Sequence, residues 1–560
     1  MANIAFDVDG VMTNLAKFQL DTGRKYFGED SVKDPTKYDV KDIFDVSKEE
    51  REKYWLKYIW PYCITEEMRK NLSELSKKLK EDGHKIYIIT GRVHTTEDGI
   101  RGKLFRKMLL SWLKKNGFEY DEIIYVNENN SAEEKLNACK ENNIDLINEG
   151  LYKDLGKSPS EAYMCETGLV LSEITYMLKH IKKFSKPRRV RTPLAQYISK
   201  SFELASPYGV VLVMSPWNYP FLLSLDPIVE AVAAGNVVLL KTSEYSPNTN
   251  KVVKRIIENV FPKEYVSCVF GGYEENSLLL QKKFDYIFFT GSKKVGNIVY
   301  QSASKSNTPV TLELGGKSPC VIDAKCNLKL AAKRIVFGKL LNLGQTCVAP
   351  DYFFVHKSIK NKFIDLVIKE IKRQFGDNPI ENASYGKIIN LNHFRRINNL
   401  IDKSKVIYGG NIDESRLKIG PTIMDHVSFD DNVMKEEIFG PIFPIIEYES
   451  LDEVIGKINE GDTPLACYIY SSNKRNINKL VMEAEFGGGC INDCIIHLAS
   501  SYLRFGGFKE SGIGSYHGFN GFQTFSHYKS IVDKKTIIDL PMRYQPYKKL
   551  NDKLVKFFLK

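Results

Sequence analysis

The run GQTCVAPD, Gly344 to Asp351, sets a cysteine, Cys347, in a loop of small residues after a helical stretch. A thiolate there can attack a carbonyl carbon and carry the resulting acyl group as a thioester. The residue alone does not decide its role. Buried cysteine commonly behaves as a small hydrophobe, and the chain has ten cysteines. A second chemically pointed stretch lies at the other end of the chain. In IAFDVDGVMT an apolar strand runs into Asp7-Val8-Asp9, and D-x-D spacing at a strand end turns both carboxylates to one face of the loop. Such a pair suits one acid as nucleophile and the other as acid/base, with Mg²⁺ held between them and a phosphate. Asp at a strand end also makes ordinary turns.

The elements that would position these groups fall into two regions. In residues 1–149, IAFDVDG, IYIITGR, DEIIYVN and IDLINE read as strands separated by helical stretches, with a helical insert over 14–80. Alternating strands and helices predict a parallel sheet, whose ligands gather at the carboxyl ends of the strands. Asp7, Asp9 and Thr90 fall there. The remainder again reads as strands ending in polar loops.

Composition bounds the rest. A chain of 560 residues predicts three or four units at roughly 150 residues each. Hydrophobic residues at 43% and charged residues at 27% are a globular balance. The formal charge of +11 is spread over helices beside acidic residues, as in LSELSKKLKEDGHK, which predicts a solvated surface rather than a nucleic-acid footprint. The cysteines lack paired C-x-x-C spacing, so the expectation is a reducing compartment, the cytoplasm, and no zinc. MANIAFDVDG has no basic leader followed by an apolar run, and NDKLVKFFLK is far short of the ~20 apolar residues that span a bilayer. No secretory signal and no transmembrane segment are expected.

DVDGVMT, ITGR and Lys135, in that order, resemble the motif series of the haloacid dehalogenase-like (HAD-like) phosphatases over about 145 residues. The resemblance implies an Mg²⁺ site at Asp7 and Asp9, completed by an acidic pair on a later strand. IDLINEG offers Glu149 at one of those positions and Gly150 at the other, and the family's last strand is missing. The expected unit is therefore truncated, its metal site weakened, with Mg²⁺ a cofactor only if that site is active.

From about Gly150 onward the chain resembles the aldehyde dehydrogenase superfamily. GLYKDLGKSPSEAYMCE, SPWNYPF, LLKTSE, FFTGSKKVG, TLELGGKSP, NLGQTCVAPDY, EEIFGPI, PLACYIYSSN, CINDCIIH and FGGFKESGIG occur in that family's order. SPWNYPF, CINDCIIH, the SYHGF and TFSHYKSI ending and RYQPYKKL look most like its class 3, fatty-aldehyde-type branch. The implied α/β architecture is a truncated HAD-like domain over 1–149 and a Rossmann-like NAD-binding domain over 150–312. A catalytic domain over 313–500 and a C-terminal segment over 501–560 follow. A β-rich dimer arm should draw on residues near 195–205 and 525–532.

The resemblance gives the candidates their roles. Cys347 matches the nucleophile, Asn218 with the backbone N–H of Cys347 the oxyanion donors, and Glu313 the base that activates water for thioester hydrolysis. A CoA-acylating relative would not need that glutamate. For the cofactor, Lys241 and Glu244 stand at a strand end, where a carboxylate can accept both ribose hydroxyls and repel a 2′-phosphate. NAD is preferred, and NADP stays open because Lys241 offsets part of that repulsion. Gly291, Ser292 and Gly296 lie at a strand-to-helix junction suited to a pyrophosphate. Trp217, Glu437 and Phe439 match the positions around the nicotinamide and its ribose. The expectation is a homodimeric NAD(P)-dependent enzyme that oxidises a medium- or long-chain aldehyde. Three alternatives are a bifunctional protein, an active phosphatase with a damaged dehydrogenase, and an accidental joining of two genes.

Overall fold

The computed structural model describes residues 3–559 apart from 38, 91–93, 98, 127–145, 197 and 548; Lys135 lies outside the described residues. The chain divides into two compact units, Met1–Leu146 and Ile147–Lys560.

The first unit is built on three parallel strands, Asn3–Phe6, Lys85–Thr90 and Glu122–Tyr125, with Lys85–Thr90 in the middle. The middle strand, KIYIIT, is buried from its second residue onward, the continuous apolar run that a parallel strand covered on both faces requires. Helices Leu15–Phe27, Lys48–Thr65 and Leu72–Glu81 lie between the first two strands, and Gly99–Lys115 leads to the third. The helix at Lys48 starts on a capping box, Ser47 with Glu50.

IDLINE, expected as a strand, is not one in its described part: residues 146–155 are helical. Ile147, Leu151 and Leu155 recur every four residues and are all buried, a helical period that continues into GLYKDL. Glu149, expected at a strand end with Asp7 and Asp9, sits instead on this helix in the second unit, where it pairs with Lys153 at 2.6 Å.

The second unit holds two mainly parallel sheets. The first has the order Gly512–Ile513, Val310–Glu313, Tyr286–Thr290, Val210–Met214, Val237–Lys241, Val266–Val269. The second has the order Val406–Tyr408, Thr422–Met424, Ile442–Tyr448, Tyr352–His356, Pro319–Ile322, Ala466–Tyr470, Gly488–Ile491. The chain passes from one sheet to the other between Glu313 and Pro319. A separate antiparallel sheet joins Ser526–Lys534, Ser199–Pro207 and Arg188–Val190, with Ser526 opposite Pro207 and Lys534 opposite Ser199. Among the described residues no helix is long and apolar enough to cross a membrane.

Candidate active site

Cys347 follows the helix Leu328–Leu340 and a tight turn in which Asn342, Leu343 and Gly344 have φ of 48°, 52° and 74°. Left-handed backbone at a leucine costs roughly 1–3 kcal/mol and persists only where the surroundings over-determine it. Here they do. Asn342 N donates to Glu161 Oε1 at 2.8 Å, and Gln345 Nε2 donates to the carbonyls of Asn342 and Lys387, each at 3.0 Å. Glycine is required at 344, because a Cβ there would stand 2.5 Å from the carbonyl oxygen of Gly440.

Asn218 sits in the loop between the strand Val210–Met214 and the helix Leu222–Ala233. Its Nδ2 donates to the carbonyl of Gln345 at 3.0 Å, two residues before the cysteine. The amide has a second N–H, and Asn218 lines the same cavity as Cys347. Its own carbonyl accepts from Lys157 Nζ at 2.9 Å and from Asn342 Nδ2 at 2.8 Å. Lys157 is fully buried and paired with Glu166 at 2.5 Å, while Glu166 Oε2 accepts from the backbone N–H of Phe221 and Leu222. A buried ion pair thus fixes both ends of the PWNYPF turn.

Glu313 ends the strand Val310–Glu313 and is 3% exposed, and neither carboxylate oxygen has a hydrogen-bond partner. Burial alone pushes its carboxyl well above the ordinary carboxylate range. Burial, followed by the charges of Glu437 and Glu313, pushes the Cys347 thiol up to about 12. Glu437 is pushed up to about 8, by burial first and then by the charge of Asp351. A carboxyl raised in this way is, once ionised, a better proton acceptor than an exposed one.

Cys347, Asn218, Glu313, Trp217, Glu437 and Phe439 share the walls of one cavity of about 1120 Å³, together with Gly291 and Ser292. The Trp217 and Phe439 rings meet edge-on at 5.4 Å. Ser292 caps the helix Lys293–Ser304, and Gly296 lets that helix close on Leu314, since a Cβ would come within 2.6 Å of its side chain. Gly296, Lys241 and Glu244 lie off the cavity wall. Lys241 ends the strand Val237–Lys241, and its Nζ donates to the carbonyl of Thr242 at 2.6 Å. The Glu244 carboxylate lies over Gly272, where a Cβ would be 2.0 Å from Oε2.

In the first unit, Asp7 directly follows the strand Asn3–Phe6, and Thr90 closes the strand Lys85–Thr90. Asp9 Oδ1 accepts from the Tyr62 hydroxyl at 2.7 Å. Among the described residues no group of three or more His, Cys, Asp and Glu is placed to hold a metal ion.

The matched motifs contain further site residues that the sequence reading left without a role. Lys157 and Glu166 lie in GLYKDLGKSPSEAYMCE, Lys317 in TLELGGKSP and Asp351 at the end of GQTCVAPD. Only Asp351 carried a signal, as the one charge in GQTCVAPD; Lys157 and Glu166 are two of several charges in their motif.

Residues 126–531 match the aldehyde dehydrogenase family. The chain belongs to that family. It is an aldehyde dehydrogenase, and the loops described above are this enzyme's own. It is 44% identical over 425 residues to 4,4'-diaponeurosporen-aldehyde dehydrogenase of Staphylococcus aureus, covering 76% of this chain and 92% of the relative. It is 40% identical over 408 residues to aldehyde dehydrogenase family 3 member A2 of Mus musculus, covering 72% and 84%. A solved structure of the substrate-bound state of Staphylococcus aureus AldH superposes with a TM-score of 0.72 at 42% identity, over 76% of this dehydrogenase and 95% of that chain.

Proposed function

We propose that the protein oxidises an apolar aldehyde to its carboxylic acid, with Cys347 as nucleophile, Asn218 as oxyanion donor and Glu313 as base. The observation that carries this reading is the meeting of the three in one cavity, with both Glu313 oxygens buried and unpartnered. An unsatisfied buried carboxylate costs stability, and a water molecule held as substrate would satisfy it.

The residues fit a nicotinamide dinucleotide. Glu244 at a strand end, the bare backbone of Gly272 beneath it and the capped helix start at Ser292 suit ribose and pyrophosphate. Glu437, Phe439 and Trp217 line the cavity beside Cys347 and would hold the nicotinamide end. When bound, the oxidised ring supplies a hydride acceptor and a positive charge that favours the thiolate. Cys347, its proton given up to solvent, then attacks the aldehyde carbon as the thiolate, and the new oxyanion accepts from Asn218 Nδ2 and the backbone N–H of Cys347. Loss of hydride leaves a thioester on Sγ. Glu313 takes a proton from water as its oxygen attacks the thioester carbon, and the sulfur leaves.

NAD is the preferred cofactor, because Glu244 repels a 2′-phosphate; NADP stays open, since one relative 41% identical is named as NADP-preferring. A medium- or long-chain aldehyde is the proposed substrate; the Staphylococcus aureus relative is named for 4,4'-diaponeurosporen-aldehyde. The antiparallel sheet Arg188–Val190, Ser199–Pro207, Ser526–Lys534 is the proposed dimer arm, and the cytoplasm the proposed location. The test is NADH formation by purified protein across aldehydes of rising chain length, with NAD and NADP compared. Cys347→Ser should abolish turnover and leave NAD binding intact. Wild-type turnover in that variant would refute the assignment.

A second reading concerns the first unit. Asp7 directly after a strand and Asp9 in the short helix Val8–Met12 that follows it support a HAD-like phosphatase ancestry with a degenerate site, since the residues after Leu146 form a helix of the second unit rather than the acid-bearing strand. Hydrolysis of a phosphomonoester by the full chain, with and without Mg²⁺ and with Asp7→Asn as control, tests it. Robust Mg²⁺-dependent turnover lost in Asp7→Asn would show a bifunctional enzyme instead.

A further inference from the structure

Glu313 ends a strand of the six-stranded sheet, Cys347 and Glu437 lie in loops, and the chain after each of the three runs into a different strand of the seven-stranded sheet. The strands Pro319–Ile322, Tyr352–His356 and Ile442–Tyr448 are immediate neighbours, paired in parallel. Lys317 stands four residues after Glu313, Asp351 four after Cys347, and Ile438 one after Glu437. These three positions are bonded to one another. Lys317 Nζ donates to Asp351 Oδ2 at 2.5 Å and to the carbonyls of Val433 and Glu436, each at 2.9 Å. Asp351 Oδ1 accepts from the backbone N–H of Ile438 at 3.0 Å, and Asp351 N donates to the Ser318 carbonyl at 2.8 Å. Both Asp351 oxygens and all three Lys317 N–H groups are thereby used. The Asp351 side chain is 3% exposed and that of Lys317 19%.

We infer that the Lys317–Asp351 pair is a positioning device that ties the three catalytic loops of the proposed reaction together and sets the separations of Glu313, Cys347 and Glu437. Neither side chain is asked to touch the reacting atoms. The physical case is connectivity. Strand pairing holds Glu313 in the six-stranded sheet, opposite Thr290 and Gly512, but it fixes the other two segments only from Tyr352 and Ile442 onward, so Cys347 and Glu437 lie before those points without ladder pairing of their own. Without the pair, each loop could shift by an ångström while the sheet stayed intact. A misplacement of that size costs on the order of a hundredfold in rate.

The inference rests on the roles given above to Cys347, Glu313 and Glu437, and its test separates the two. Active sites are first counted in each preparation by the burst of NADH, and the acylation and steady-state rates are then expressed per titrated site. Lys317→Met and Asp351→Ala should each lower the rate per site about a hundredfold. The double variant should fall no further than either single one, and Lys317→Arg should recover part of the loss. The affinity for NAD should change little. A purely structural role would reduce the number of titrated sites or the melting temperature and leave the rate per site alone, which would overturn the proposal. If Lys317→Met and Asp351→Ala yield no folded protein, Lys317→Arg and Asp351→Asn decide. Wild-type rates per site in both would equally overturn it. Cys347→Ser, run in parallel, reports on the underlying reading: turnover there would refute the nucleophile whatever the pair does.

Discussion

Lys157 donates from a fully buried ammonium to the main-chain carbonyl of Asn218 at 2.9 Å, across 61 positions of sequence. The same ammonium lies 3.9 Å above the Tyr219 ring. The segment that follows the first unit is therefore part of the dehydrogenase site. Removing one partner of a buried ion pair strands the other charge, at a cost of about 3–5 kcal/mol. Lys157→Met should lose that much stability in urea unfolding and should lower kcat as the Asn218 turn loosens. Unchanged unfolding would show that the pair adds nothing to stability.

Glu313→Gln keeps the shape of the side chain and removes the base. Thioester formation should proceed, giving a burst of NADH, while acyl release slows by about 10²–10⁴-fold. Rapid-mixing absorbance separates the two phases. Loss of the burst together with the steady state would place Glu313 in activation of the thiol instead.

Asn218→Ala removes one oxyanion donor and the bond to Gln345. The expected loss in kcat is about 10²–10³-fold. A change confined to KM would assign the amide to substrate binding.

Glu437 gives a pH dependence with a definite sign. Its carboxyl is pushed up from 4.5 to about 8 in the folded chain, chiefly by burial. Between those values the folded state keeps a proton that the unfolded state has released, so stability falls as pH rises through the window. Glu437→Gln removes that slope. Its melting temperature relative to the parent should be little changed at about pH 5 and should rise steadily to about pH 8. A constant offset across the range would assign the difference to packing alone.

Ile531 and Val532 on the strand Ser526–Lys534 are 41% and 50% exposed. Being consecutive, they point to opposite faces of the strand, so a second copy of the chain against the arm would cover at least one of them. Replacing both by lysine should shift the protein from dimer to monomer in analytical ultracentrifugation and leave the six- and seven-stranded sheets intact. A parent protein that sediments as a monomer would remove the dimer arm from the proposed function.

By itself, the sequence determined the chemistry and its order along the chain. Cys347, Glu313 and Asn218 lie inside motifs whose residue types suit the proposed reaction, and the apolar runs ending at Met214, Lys241 and Thr290 mark strand ends without reference to anything distant. It misread residues 146–149, because the short apolar run IDLI suits a strand or a buried helix, and only packing in the second unit selects the helix that continues into GLYKDL. It also could not give the bracing. Lys157 to Asn218, Asn218 to Gln345 and Lys317 to Asp351 join residues 61, 127 and 34 positions apart. Which charge meets which carbonyl depends on strand order and on the way three loops converge. The raised carboxyls of Glu313 and Glu437 belong to the same class, since their cause is burial, and burial exists only once the chain has folded around them.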